Sequence, residues 1–363
     1  KLGGVDWIKP LTETPIIAHN ASFEAQHFYH QGIEFKHLDC SMLMGRVFLN
    51  RNYSLKDAAK DAFDLELDKS LQVSDWSRGD LLPEQILYAA LDAVITYQLY
   101  ARFSEWFDQD KTYYIAYKFL KSLIDPLVRQ MAYGIEIDTA AHQQIINEWG
   151  ERLAWVTKEL ANDGLTNPDG VKAKQTYLNT KLSEDEKDSW PKTKTGNLST
   201  DNDSLQALTN HPTLSLLAEY NTLSKRLGHY GKKLQQLMVD GALYPGYQIA
   251  EMISGRYGCR EPNIQNQPRS GFKHIYIAPE GHQFVTGDLA QVELRVAGLL
   301  SEDPIINEAY ATGQDLHRLM ASKMTGKPEH EISKEERTAA KGVNFGLLFG
   351  GGAKGLQTYV RSS

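Results

Sequence analysis

Thr286-Gly287-Asp288-Leu289-Ala290-Gln291-Val292-Glu293-Leu294-Arg295 sets an acid where a strand-like run gives way to a helical one. Residues 283–287 read as a strand. Beyond them Val292, Val296, Leu299 and Leu300 recur at the i, i+4, i+7, i+8 spacing of an amphipathic helix. A carboxylate at that junction is held by a rigid element and can face a cleft. Mg2+ prefers oxygen donors and shares its shell with substrate phosphates, so Asp288 is a candidate metal ligand. The alternative is that Asp288 caps the following helix, and acids at such junctions commonly do.

Toward the C-terminus, Pro304 stops that helix. A last helix is predicted from Ser333, a good N-cap with Glu336 three residues on, to about Phe349. Within it Arg337, Lys341 and Phe345 are four apart and share one face. Two cations and a ring in line suit a triphosphate and a base, since Arg grips phosphate bidentately and Lys is a compact point charge. The alternative is an exposed basic face with Phe345 turned into the core. Gly342 and Gly346 each weaken a helix interior by about 1 kcal/mol relative to Ala, and suit a helix that moves or is closely approached.

Toward the N-terminus, residues 242–249 and 272–278 read as strands. Residues 111–240 are helical in period, broken by turn chemistry at Asn167-Pro168-Asp169-Gly170 and at 191–196. Before a boundary near residues 108–110 the pattern is α/β: a buried strand at 15–18, a helix from Ser22, and a long helix opened by Pro83. The apolar face predicted for that helix is Ile86, Leu87, Ala90, Leu91, Val94 and Ile95. Tyr88 and Asp92 share one of its faces, where an acid to hold a metal and a phenol to position water suit phosphodiester hydrolysis. A tyrosine at a core edge beside a surface acid is the plainer alternative.

The 363 residues allow two or three domains, and 41% hydrophobic with 23% charged residues is ordinary for a globular chain. No run approaches the ~18 apolar residues of a membrane span, so no membrane partner is expected. Cys40 and Cys259 have no metal-ligand spacing; a reducing, intracellular compartment is the simplest reading. Lys1-Leu2-Gly3-Gly4, without an initiator Met, reads as the start of a fragment. The net charge of −7 resides in residues 1–110, with 17 acidic against 10 basic side chains, leaving the remainder neutral. Nucleic-acid binding depends on where cations lie rather than on their sum. Lys225, Arg226, His229, Lys232 and Lys233 form one basic group; Lys187, Lys192 and Lys194 form another.

Four of these segments, in this order, resemble the family A DNA polymerases. Asp288 to Arg295 is similar to motif A, commonly Asp-Tyr-Ser-Gln-Ile-Glu-Leu-Arg, and departs from it at Leu289 and Ala290. Arg337-x3-Lys341-x3-Phe345-Gly346 resembles motif B of the fingers helix, and Gln314-Asp315-Leu316-His317 a segment whose His meets the incoming triphosphate. Gly255-Arg256 and Pro262-Asn263-Ile264-Gln265-Asn266 resemble the stretch that tracks the primer-template minor groove. Residues 130–138 resemble the entry to the polymerase domain and 220–233 the thumb.

The resemblance implies these roles. Asp288 would bind two Mg2+ ions, helped by the Leu289 carbonyl. Glu293 would exclude a ribose 2′-OH, with Gln291 nearby, leaving the sugar pocket altered by Leu289 and Ala290. His317, Arg337 and Lys341 would hold the triphosphate, and Phe345 would pack against sugar and base. Arg256, Asn263, Gln265 and Asn266, with Lys225 and Arg226, would hold DNA.

The front domain resembles 3′–5′ exonucleases through His19-Asn20-x2-Phe23-Glu24, the 67–76 segment with Trp76, and Tyr88-x3-Asp92. Glu24 and Asp92 would be metal ligands, Glu24 standing where the family more often has Asp. The first exonuclease motif, Asp-x-Glu before Asn20, does not occur; Asp64-Leu65-Glu66 follows the second motif and reads as surface charge. His-Asp-Glu, the family's source of a second polymerase carboxylate, is also absent.

The implied fold is a multidomain α/β and α+β protein: a partial ribonuclease H-like exonuclease domain (1–108), palm entry and helical thumb (109–250), then part of the palm sheet and the start of the fingers (251–363). The implied partners are primer-template DNA and dNTPs, with any processivity factor unspecified, in a bacterial or phage-infected cytoplasm. The implied activity is DNA-templated DNA synthesis with proofreading in a longer parent, the 363 residues alone being inactive. A 3′–5′ exonuclease with a non-catalytic DNA-binding extension is the alternative. A single-subunit RNA polymerase is set aside, because it would lack a bulky Glu293 and carry Tyr at Phe345.

Overall fold

Two short apolar runs pair in parallel, β1 (Ile16–Ala18) with β2 (Leu38–Cys40), Ile16 opposite Leu38 and Ala18 opposite Cys40. A parallel pair needs a crossover, and α1 (Ala21–Tyr29) supplies it. The computed structural model describes residues 8–50, 53–67, 70–206, 211–268 and 270–352. Lys1 to Gly4, and Asp68 and Lys69 of the 67–76 segment, lie outside these. The chain divides into two compact units, 1–148 with 226–283 and 149–225 with 284–363.

In the first unit α2 (Ser41–Leu49) and α3 (Leu55–Phe63) follow β2, then α4 (Pro83–Gln109), α5 (Lys111–Ser122) and α6 (Ile124–Tyr133). Along α4 the buried row is Ile95, Leu99, Phe103 and Phe107, spaced four apart, with the Phe48 ring stacked on Phe103 and Phe107. Of the six residues predicted for its apolar face, only Ile95 is buried; Ile86 and Leu87 are 56% and 70% exposed. The reason is length. A helix of 27 residues spans roughly 40 Å, and α4 buries a continuous face only from Ile95 onward; ahead of Ile95 only Gln85 is buried.

After Gly134, with φ +73°, β3 (Ile135–Ile137) is the middle strand of an antiparallel sheet, between β4 (Ala242–Leu243) and β7 (Tyr276–Ile277). The predicted 242–249 strand is split by Tyr244-Pro245 into β4 and β5 (Gly246–Gln248), since Pro has no N–H to give a ladder. β5 pairs with β6 (Gly258–Arg260) as a hairpin. The predicted 272–278 strand shortens to β7, with a 3-10 turn at Lys273–Ile275 before it.

α7 (Thr139–Asn162) leads into α8 (Val171–Lys181), α9 (Glu184–Ser189), α10 (Asn202–Gln206) and α11 (Pro212–Tyr230), followed by α12 (Lys232–Leu237). Val156, Leu160, Leu178, Leu214 and Leu217 form the core of the 149–225 segment. Both predicted breaks are turns: Asn167 accepts the Gly170 N–H on its side chain at 3.1 Å, and Lys192 bridges to Leu198 around Gly196.

The 284–352 segment holds α13 (Val292–Ser301), α14 (Pro304–Ala311), α15 (Leu316–Thr325) and α16 (Lys334–Leu348) around Leu294, Ala309 and Leu316. Three expectations fail here. Residues 283–287 form no strand: no strand among the described residues pairs with them, and Phe284 and Val285 are exposed. A strand exists only through its ladder. On α13 three of the four residues of the predicted stripe are exposed, with Leu299 and Leu300 at 71% and 79% and Val292 half-buried, while Leu294 and Gly298 face inward. Gly298 lets α14 approach closely: a Cβ there would lie 2.5 Å from Ile306. Pro304 opens α14 rather than ending α13, which stops at Ser301; Asp303 caps the N–H groups of Ile305 and Ile306. No helix among the described residues is long and apolar enough to cross a membrane.

Candidate active site

The start of α15 organises the cations of α16. Asp315 accepts the N–H groups of His317 (3.0 Å) and Arg318 (3.2 Å) on one oxygen, and Arg337 Nε donates to the other at 2.7 Å. Burial works to raise the Asp315 carboxyl, but Arg337 and the two N–H groups outweigh it and hold it below its ordinary value. His317 is 1% exposed. Its Nδ1 lies 2.9 Å from the Asn344 side-chain nitrogen, and its Nε2 is buried without a hydrogen-bond partner. Burial pushes the His317 imidazole below its usual range; Asp315 opposes this, while Arg337 and Lys341 add to it. Lys341 is exposed. Phe345 is half-buried against the Leu294–Leu316 cluster, its ring 6.0 Å from that of His317, so it sits between its two predicted placements. Ser333 and Glu336 form the predicted capping box.

Asp288 and Leu289 are exposed, in a segment without regular structure. Helix α13 begins at Val292 with Gln291 as N-cap at φ +54°, so Asp288 is not the cap. The Tyr310 hydroxyl donates to the Gln291 side-chain oxygen at 2.8 Å. Arg295 lies 4.2 Å over the Tyr310 ring, and its Nε donates to the Ala290 carbonyl at 3.0 Å. Glu293 is half-buried in the first turn. Tyr310 was not singled out in the sequence, where nothing marks it.

Arg256 is exposed in the β5–β6 loop, beside Gly255 at φ +78°. Asn263 and Gln265 are exposed, and the Asn263 side chain accepts the Gln265 N–H at 3.0 Å. The exposed Asn266 gives its carbonyl to the Tyr230 hydroxyl. Lys225 is exposed and Arg226 half-buried, both on α11.

In the front domain Glu24 is half-buried on α1, and one carboxylate oxygen is buried with no hydrogen-bond partner. Burial raises its pKa, against its backbone hydrogen bond and His27. Tyr88 and Asp92 are half-buried one turn apart on α4. The Trp76 and Tyr88 rings are 6.1 Å apart. Gln85, overlooked in the sequence, is buried at the third position of α4; it accepts the Leu82 N–H and donates to Ser74 and to the Asp75 carbonyl, both at 3.0 Å. Its place three residues after the N-cap was the available signal. Asp64 and Glu66 are exposed and paired to Lys60. Among the described residues no three His, Cys, Asp or Glu side chains cluster as a metal site. Glu24 nonetheless fits a cation, as a desolvated carboxylate oxygen lacking a donor, and Asp288 offers a free carboxylate.

Residues 139–363 match the DNA polymerase family A model, and residues 5–107 a 3′–5′ exonuclease model. DNA polymerase I of Aquifex aeolicus is 31% identical over 370 residues, covering 97% of this chain and 63% of the relative. That of Synechocystis is 30% identical, covering 94% of this chain and 36% of the relative. The chain thus spans about two thirds or less of these relatives. Among solved structures, the POL domain of Pol1 from M. smegmatis, in complex with DNA primer-template and dNTP, aligns with a TM-score of 0.79 at 22% identity, covering 96% of this chain and 60% of that one.

Proposed function

This chain belongs to DNA polymerase family A, and from that premise we propose that its full-length protein extends a DNA primer from dNTPs on a template and proofreads with a 3′–5′ exonuclease. The observation that carries the reading is the convergence of His317, Arg337, Lys341 and Phe345 at the α15–α16 contact. Arg337 spends its Nε on Asp315, which aims the rest of its guanidinium for a triphosphate. Lys341 adds an exposed point charge, and His317 Nε2 adds a third group. Glu293, beside Gln291 in its bond with Tyr310, is the gate against a ribose 2′-OH. Arg256 senses pairing in the minor groove, where acceptors vary little between base pairs. Asn263, Gln265 and Asn266 line the same path, and Lys225 and Arg226 hold phosphates without reading sequence.

Asp288, with the Leu289 carbonyl, would hold Mg2+ in the polymerase site, and Glu24 and Asp92 would hold it in the nuclease site. Bound there, the metal neutralises charge developing on the phosphoryl oxygens. Tyr88 orients the attacking water in the nuclease. By function we divide the chain as 1–108 exonuclease of ribonuclease H type, 109–250 palm entry and thumb, and 251–363 palm and fingers. Its setting is the cytoplasm of a bacterium or a phage-infected cell.

Primer extension tests this. A protein carrying a second carboxylate opposite Asp288 extends a primer with dNTPs and not with rNTPs, while the 363 residues alone, with one carboxylate, do not extend it. Failure of the longer protein to extend, with nuclease activity intact, would favour an exonuclease with a DNA-binding extension.

A further inference from the structure

His317 has one nitrogen spoken for and one waiting. Its ring is buried, and Asn344, 7% exposed on α16, brings its side-chain nitrogen to 2.9 Å from Nδ1. An amide nitrogen has only hydrogens to offer, so Nδ1 must present its lone pair. A neutral imidazole that accepts at Nδ1 carries its proton on Nε2. That Nε2 is buried without an acceptor, an arrangement that disfavours the folded state unless something arrives to accept. Protonating Nδ1 as well would set N–H against N–H, in a pocket already faced by Arg337 and Lys341 and opposed by Asp315.

We infer that Asn344 is a positioning residue that locks His317 as the neutral Nε2–H tautomer, making it a directed hydrogen-bond donor to an anionic phosphate oxygen rather than a third positive charge. The donor role rests on the triphosphate reading given above; the lock does not. Asn344 lies seven residues after Arg337 and three after Lys341, so one helix face sets both the cations and the tautomer.

The test is 15N spectroscopy of the histidine side chains in the 363-residue chain at neutral pH, with His317→Gln to assign the signals. The lock requires an unprotonated Nδ1 and a protonated Nε2 without ligand. Inorganic tripolyphosphate should then shift the Nε2 signal and leave the tautomer unchanged. In Asn344→Leu, His317 should give the averaged signature of exchanging tautomers and bind tripolyphosphate more weakly by the fraction left as Nε2–H, about twofold where the two tautomers are equally populated. Should that variant not fold, the unsubstituted chain still decides: a proton on Nδ1, or an imidazolium, overturns the lock. The predicted tautomer with no response to tripolyphosphate overturns instead the triphosphate reading, and with it the donor role.

Discussion

At the residue scale, three side chains of the candidate sites, Glu24, His317 and Asp315, are held away from their ordinary ionisation. Glu24 keeps a carboxylate oxygen buried and unpartnered, and burial raises its pKa. Its charge therefore works against folding above the unfolded value. Glu24→Gln should match or exceed the melting temperature of the parent in EDTA. With Mg2+ the parent should gain, because a ligand bound only to the folded state stabilises it, and the variant should not. A Mg2+ response equal in both would remove Glu24 from the metal site. His317 is a base with a depressed pKa, so the folded state binds its proton less readily than the unfolded chain does. Stability is full above the ordinary value of 6.5 and falls as pH drops below it toward the folded pKa. Urea unfolding between about pH 7.5 and about pH 5 should show that loss, and His317→Gln should lack it. Asp315 has the opposite sign: its depressed pKa contributes stability above 3.8 that disappears only at lower pH, outside this window.

At the element scale, the Ser333 cap of α16 was legible and the buried faces of α4 and α13 were not. Ser333 accepts the Glu336 N–H at 3.1 Å while Glu336 accepts the Ser333 N–H at 2.9 Å. Both bonds lie within four residues, so the sequence alone contains the cap. Ser333→Ala should cost about 1 kcal/mol by chemical denaturation. The buried face of α13 is a different matter, since Val296, Leu299 and Leu300 have the better apolar spacing. α14 instead packs on Leu294 and Gly298, because Gly298 leaves room for Ile306. Gly298→Ala should destabilise this chain by about 1–3 kcal/mol through overpacking. Leu300→Glu should move it by less than about 0.5 kcal/mol. The reverse ranking would restore the stripe that periodicity suggests.

At the scale of the whole molecule, a net charge of −7 coexists with proposed DNA binding because the acidic excess lies in residues 1–110. Affinity for primer-template should fall with salt. Lys225→Ala, removing a phosphate contact, should lower the slope of log affinity against log salt by about 0.9. Arg256→Ala should weaken binding with little change in that slope if it reads the minor groove. By itself the sequence determined the order of the motifs, the caps and the turns. Motif order is a property of the chain, and caps and turns are hydrogen bonds between near neighbours. Only the tertiary structure decided which stripes of α4 and α13 are buried, that 283–287 lacks a ladder, and which atom faces each nitrogen of His317. Burial and tautomer depend on groups distant in sequence, such as Asn344, 27 positions from His317, and no local pattern encodes that meeting.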